Sequence, residues 1–129
     1  MQNILTGIYS LYSADTDLTN ALTGGLHFLK APQGVSYSYA VYFAEGEPEY
    51  LFDTIYELPQ VQFDVFATTN SARQTAYDAI VALYDDATPT ATGYTPIIME
   101  RNLQRFTRTG DQWQYFQATI IYNCRLEKQ

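Results

Sequence analysis

From Tyr115 to Leu126 the chain alternates without a break. Phe116, Ala118, Ile120, Tyr122, Cys124 and Leu126 fall on one side of an extended backbone, and Tyr115, Gln117, Thr119, Ile121, Asn123 and Arg125 on the other. A period of two is the mark of a strand, because successive side chains point to opposite faces. A second alternation sets Val61, Phe63 and Val65 against Gln60, Gln62 and Asp64, ends near Ala67, and runs straight into NSARQTAYDAIVALYDD, where the period becomes helical. There Ala72, Ala76, Ala79, Ile80 and Leu83 form an apolar stripe that predicts a helix over about 71–86. Ser71 and Gln74 have the spacing of a capping box, and Asp85 and Asp86 oppose the helix dipole at the far end, which predicts fraying there. A strand that turns directly into an amphipathic helix calls for a helix packed on a sheet.

The rest of the chain fits that frame. Ile4, Ile8 and Leu11 predict an N-terminal helix over roughly 2–13, and SADTD caps a second short helix carrying Leu18, Ala21 and Leu22, ended by Gly24 and Gly25. APQG at 31–34 is a turn. From Val35 the period is two, with Val35, Tyr37, Tyr39, Val41 and Phe43 on one face and Ser36, Ser38 and Ala40 on the other, and the large-residue face is expected to be core. AEGEPEYLFDTIYELP lacks a clean period and reads as a long loop or a loosely paired excursion. ATPTATGYTP is linker-like, and residues 97–108 and 112–126 read as a hairpin around TGDQ. The expected fold is α+β in a single domain, 1–129, with an antiparallel twisted β-sheet, a long helix at about 71–86 packed on it, and an N-terminal helix.

Composition narrows the function. A chain of 129 residues, 47% hydrophobic, can bury a core. Its formal charge of −7 disfavours ordinary nucleic-acid binding, although an acidic wall suits a channel through which DNA slides without sticking. Twelve tyrosines fit half-buried strands and protein contacts. Cys124 has no partner for an intramolecular disulfide. The first basic residue is Lys30, so no secretory signal is expected, and no apolar run is long enough for a bilayer span. The expectation is a protein made and used in a cytoplasm, with no membrane partner.

Chemistry is sparse. His27 and Cys124 could pair as base and nucleophile, but nothing supplies an orienting third group. Glu45, Glu47, Glu49, Asp53 and Glu57 lack the order of a calcium loop and read as a solvated acidic segment. GGLHF is not followed by the helix a phosphate loop needs, and Asp85 and Asp86 point about 100° apart on a helix. No catalytic, cofactor-binding or metal residue is assigned, and no cofactor is expected. The basic residues are more informative: Arg101, Arg105 and Arg108 cluster, with Arg101 and Arg105 expected on one strand face around Leu103. The 45–57 segment has acids and no base, so the two could meet between neighbouring copies in a head-to-tail contact that closes into a ring. The aromatic residues of the excursion pack either on their own domain or on another chain. The candidate subunit or partner interface is therefore Glu45, Glu47, Glu49, Tyr50, Phe52, Asp53, Tyr56, Arg101, Arg105 and Arg108.

The order of features resembles the tail-completion or tail-terminator family of long-tailed bacteriophages. TGGLHFLKAPQGVSYSYAVYF after an N-terminal helix is similar to the family's glycine, turn and aromatic strand. VQFDVFATTNSARQTAYDAIVALYDD resembles its strand, polar link and helix, followed by a loop, and ERNLQRFTRTGDQWQYFQATIIYNCRLEK resembles its closing hairpin. The chain departs at Ser38, where the family often has proline, and in the long 84–96 link. The resemblance implies a virion protein without enzymatic activity, assembled as a ring, typically hexameric, at the head-proximal end of the tail. It would end tail-tube polymerisation, with the tail-tube protein and a head connector or neck protein as partners and DNA passing through the lumen. The rival readings are a cone-shaped α+β small-molecule binder or enzyme with a tyrosine-lined pocket, and an adaptor that binds one partner through the acidic segment.

Overall fold

The structure is a computed structural model that describes residues 2–45, 48–51, 54–57, 60–89, 94–110, 112 and 114–128, with side chains over 4–44, 60–89, 99–110, 112 and 114–124. Helices α1 (Gln2–Ala14) and α2 (Thr16–Ala21) come first, then strands β1 (Leu26–Phe28), β2 (Tyr39–Glu45), β3 (Pro48–Leu51), β4 (Thr54–Glu57) and β5 (Gln60–Ala67). Helix α3 (Asn70–Tyr84) follows, and β6 (Tyr94–Thr109) and β7 (Tyr115–Lys128) close the chain as a hairpin. The architecture is α+β, with a seven-stranded sheet in the order β1-β2-β5-β7-β4-β3 and β6 on β7.

The sheet is mixed rather than purely antiparallel, because β1 runs parallel to β2. A three-residue strand is too short for alternation to show, so GGLHF conceals an edge strand. Of the two readings of the 45–57 excursion, the described residues take the paired one. Its strands pair antiparallel, Glu49 opposite Tyr56 and Tyr50 opposite Ile55, and β4 joins β7 through Tyr56–Glu127 and Glu57–Leu126.

All three helices contribute to one cluster on one side of the sheet. Val61, Phe63, Val65 and Ala67 of β5 lie opposite Tyr122, Ile120, Ala118 and Phe116 of β7, in line with the alternations in the sequence. On β2 the core side is Ala40, Tyr42 and Ala44, while Tyr39, Val41 and Phe43 lie on the helix-free face, half-buried. The expected core face of β2 is thus inverted, because the small Ala40 and Ala44 leave room for the helices. The strand also begins later than Val35. The segment before it lies against Gly24, whose amide donates to Ser38 O at 2.7 Å and where a Cβ would stand 1.8 Å from Ser36 O. Tyr37, exposed, stacks on Tyr115 rather than entering the core.

Helix α3 is capped two residues earlier than expected. Thr69, not Ser71, is the cap, its hydroxyl accepting from Ala72 N at 3.0 Å. Ser71 lies inside the helix with its carbonyl accepting from Thr75 Oγ1 at 3.0 Å, and Gln74 Nε2 donates to Asp78 at 2.9 Å. Ala76, Ile80 and Tyr84 are buried, with Ala72, Ala79 and Leu83 half-buried beside them. The C-terminal end is tied down rather than free. Asp85 N donates to Val81 O at 3.0 Å, Asp86 N donates to Met99 O at 3.0 Å, and Met99 N donates to Ala87 O at 2.8 Å.

Tyr84 connects the layers. Its ring lies 4.7 Å from that of Phe63 and its hydroxyl donates to Ile8 O of α1 at 2.8 Å. We expect Tyr84→Phe to lower unfolding free energy by about 1 kcal/mol, the size of one hydrogen bond. Tyr84→Ala should lower it by about 3–5 kcal/mol, as buried aromatic truncations do. Urea denaturation of the two variants checks both values.

Candidate interaction surface

The predicted interface residues that the structure describes are spread along the β6–β7 ribbon. Glu45 ends β2, Glu49 and Tyr50 lie in β3, and Tyr56 lies in β4, beside the C-terminal end of β7. Glu47, Phe52 and Asp53 lie outside the described residues. The arginines lie further down β6, and they do not share one face. Two irregularities in the pairing, between Ile97 and Glu100 and between Arg101 and Leu103, each insert a residue and reset which way the strand presents its side chains. Arg101 lies opposite Tyr122 on the helix side, whereas Leu103 and Arg105 lie opposite Ile121 and Thr119 on the open side, and Arg108 returns to the helix side opposite Phe116.

Arg101 is engaged within its own subunit. It pairs with Asp85 at 3.4 Å and donates to Tyr77 Oη at 2.7 Å. Tyr122 Oη also donates to Asp85 at 2.8 Å, so this carboxylate at the end of α3 holds the helix to the middle of the sheet. The arginine's charge offsets the unfavourable acid at the helix terminus.

Arg108 sits elsewhere, with a partner that sequence spacing does not reveal. Its guanidinium lies 4.7 Å from the centroid of Phe116, and that of Arg73, on α3, lies 5.2 Å from the same ring and 5.0 Å from Phe106. Tyr77 meets Phe106 edge-on at 4.9 Å and completes the row. Arg73 also donates to Thr107 O on β6 at 3.1 Å. Burial, and then the neighbouring charge of Arg108, push the Arg73 pKa down. Arg73, Tyr77, Ile80 and Tyr84 recur at helical spacing, which was the available signal that Arg73 faces the sheet.

The open face of the sheet carries a polar centre within aromatic surroundings. Asp64 accepts from Thr119 Oγ1 at 2.7 Å and from Gln62 Nε2 at 3.1 and 3.2 Å, as its place on the polar side of β5 predicts. Tyr39 stacks on Phe66 at 5.2 Å, and Tyr37 on Tyr115 at 4.8 Å. The crowded Tyr37 hydroxyl has its pKa pushed up to about 12, by burial first and then by its tyrosine neighbours.

Chemistry of other kinds finds no assembled site among the described residues. His27 Nε2 donates to Gly24 O at 2.7 Å, on edge strand β1. Cys124 lies on β7, three strands away and so on the order of 14 Å or more from it. No group of three His, Cys, Asp or Glu is placed to hold a metal among the described residues. An open cleft of about 290 Å³ lies between α1 and the β1–β2 edge, lined by Leu5, Thr6, Tyr9, Ser10, Phe28 and Tyr42. No carboxylate, imidazole or thiol enters that lining. Among the described residues, no helix is long and apolar enough to cross a membrane.

No protein-family model and no curated protein matches the chain. Its fold is similar to that of a chain in a solved structure described as the virion of a native gene transfer agent particle. The TM-score is 0.85 at 11% identity, over 98% of this chain and 96% of that one.

Three outcomes follow from this geometry. Replacing Arg101 by Met should cost no more than about 1 kcal/mol, because the pair is partly solvated, and the cost should shrink in high salt. Thermal melts in low and high salt read it. Burial pushes the Cys124 thiol from 9.0 up to about 12 and raises the Tyr84 and Tyr122 hydroxyls above 10.0. Each group is raised in the folded state, so its contribution is fully present below the unfolded pKa and is lost as pH rises. Stability should therefore hold to about pH 9 and fall steadily above it. A thiol reagent at pH 8 should label Cys124 only after unfolding, and rapid labelling of the native chain would contradict the burial.

Proposed function

We propose that this chain is a structural virion protein of the head–tail junction of a long-tailed, phage-like particle. The observation that carries the reading is the likeness of fold, along 98% of the chain, to a component of a gene transfer agent virion. It acts without enzymatic activity. It assembles as a ring, typically a hexamer, on the head-proximal end of the tail, ends polymerisation of the tail-tube protein and presents a surface to the head connector or neck protein. Its place is in the virion. The net charge of −7 suits a lumen through which DNA passes unbound.

The ring contact joins the acidic, aromatic segment of one copy to the arginine end of β6 in the next. Glu45, Glu47, Glu49, Asp53, Tyr50, Phe52 and Tyr56 supply the first side, and the arginine end of β6, which carries Arg108, the second, with Arg101 committed to Asp85. The strand geometry supports a contact between copies, since Phe116 and Leu126 stand on the order of 30 Å apart along β7. Contacts that repeat head to tail close into rings when the rotation permits.

The cleft under α1 favours a second reading, a binder of a small apolar ligand, since Tyr9 and Phe28 flank it while each remains 46% exposed. Negative-stain microscopy with light-scattering mass on the same concentrated sample separates the two. Rings with a central hole are expected. A monomer at every concentration overturns the self-assembling ring, and a melting temperature that rises with an aromatic ligand would then favour the cleft.

A further inference from the structure

Arg73 and Arg108 form an unusual pairing for an acidic chain. Two guanidiniums share the ring of Phe116, and neither has a carboxylate within ion-pair distance among the described residues. Phe116 lies opposite Arg108 on the helix side of the sheet, and Phe106 extends the same aromatic support to Arg73. Like charges held together repel, and the ring faces, which attract cations, offset that only in part. Arg73 has its Nε buried without a hydrogen-bond partner, and its guanidinium is held by packing and by bonds to Thr107 O and Asn70 Oδ1. The pair is a preorganised cationic surface with no carboxylate partner among the described residues.

The chain carries a run of acids toward the other end of β7. Glu45, Glu49 and Glu57 belong to β2, β3 and β4, and β4 pairs with β7 at Glu127 and Leu126. The run from 45 to 57 holds no base. We propose that the Arg73–Arg108 pair, seated on Phe116 and Phe106, receives the acidic 45–57 segment of a second copy of this chain. This rests on the ring reading above and locates its contact: the helix side of the β6–β7 end is used, and Arg105, on the open side, is not. Guanidinium and carboxylate match in planar, paired hydrogen bonds, which sets register as well as affinity. Fixing the guanidiniums on rings before contact lowers the ordering cost of each association step.

Light scattering of the full chain over a concentration series tests this. Arg108→Glu should weaken association at least tenfold, and Arg105→Glu should change it by less than about twofold. Adding E49K/E57K chains to Arg108→Glu chains should restore mixed assemblies by exchanging the charges, which also shows that Arg108→Glu still folds. Retained assembly in Arg108→Glu, or equal losses from Arg105→Glu, overturns this contact while leaving the ring standing. Wild-type chain that stays monomeric throughout overturns the ring and this contact together.

Discussion

The structure depends on one strand being paired along both edges. β7 takes β5 and β4 on one side and β6 on the other, so it fixes the position of the sheet, of the acidic β3–β4 hairpin and of the arginine-bearing β6 at once. Its helix-side row, Ala118, Ile120, Tyr122 and Cys124, meets Phe63 and the buried side of α3. A slip of one residue would send Tyr122 and Ile120 outward and bring Thr119 and Ile121 into the core, so burial itself enforces the register. Two tyrosine hydroxyls then lock the helices to it. Tyr122 reaches Asp85 at the end of α3, and Tyr84 reaches the backbone of α1.

What could be read in advance follows from which signals are local. The alternations of β5 and β7 and the stripe of α3 are patterns within single segments, and they placed these elements and their buried rows. Which face of β2 goes inward is not a local property. Its large residues look like core by size, yet the helices cover the side of Ala40 and Ala44, and Tyr39 and Phe43 serve the open face instead. Thr69 and Ser71 are both good caps by type, and only the entry geometry from β5 selects Thr69. The parallel strand β1 is too short to display a period at all.

The candidate surface was legible in its charge and not in its geometry. Segregation of acids to 45–57 and arginines to 101–108 is written in the sequence. The extra residues in β6 are not, because an irregular pair is a property of two strands together. They separate Arg101 and Arg105 onto different faces, turn Arg101 toward Asp85 and Tyr77, and return Arg108 to the helix side. Arg73, far away in the chain, arrives there only through the packing of α3 on the sheet.

The division between Arg101 and the Arg73–Arg108 pair is therefore a division of tasks between chemically equal side chains. Arg101 has an acid within its own subunit, and its charge is used to hold the fold. Arg73 and Arg108 have aromatic supports and, among the described residues, no acid partner, and the rings position a cation without neutralising it. A chain with 14 acids and 7 bases could pair every base internally if stability alone governed its design. Arg73 on α3 and Arg108 on β6 instead stand at one end of the sheet without an acid partner among the described residues, while β4 joins β7 toward the other end. In the ring proposed above, copies meeting in the same orientation bring these two ends together.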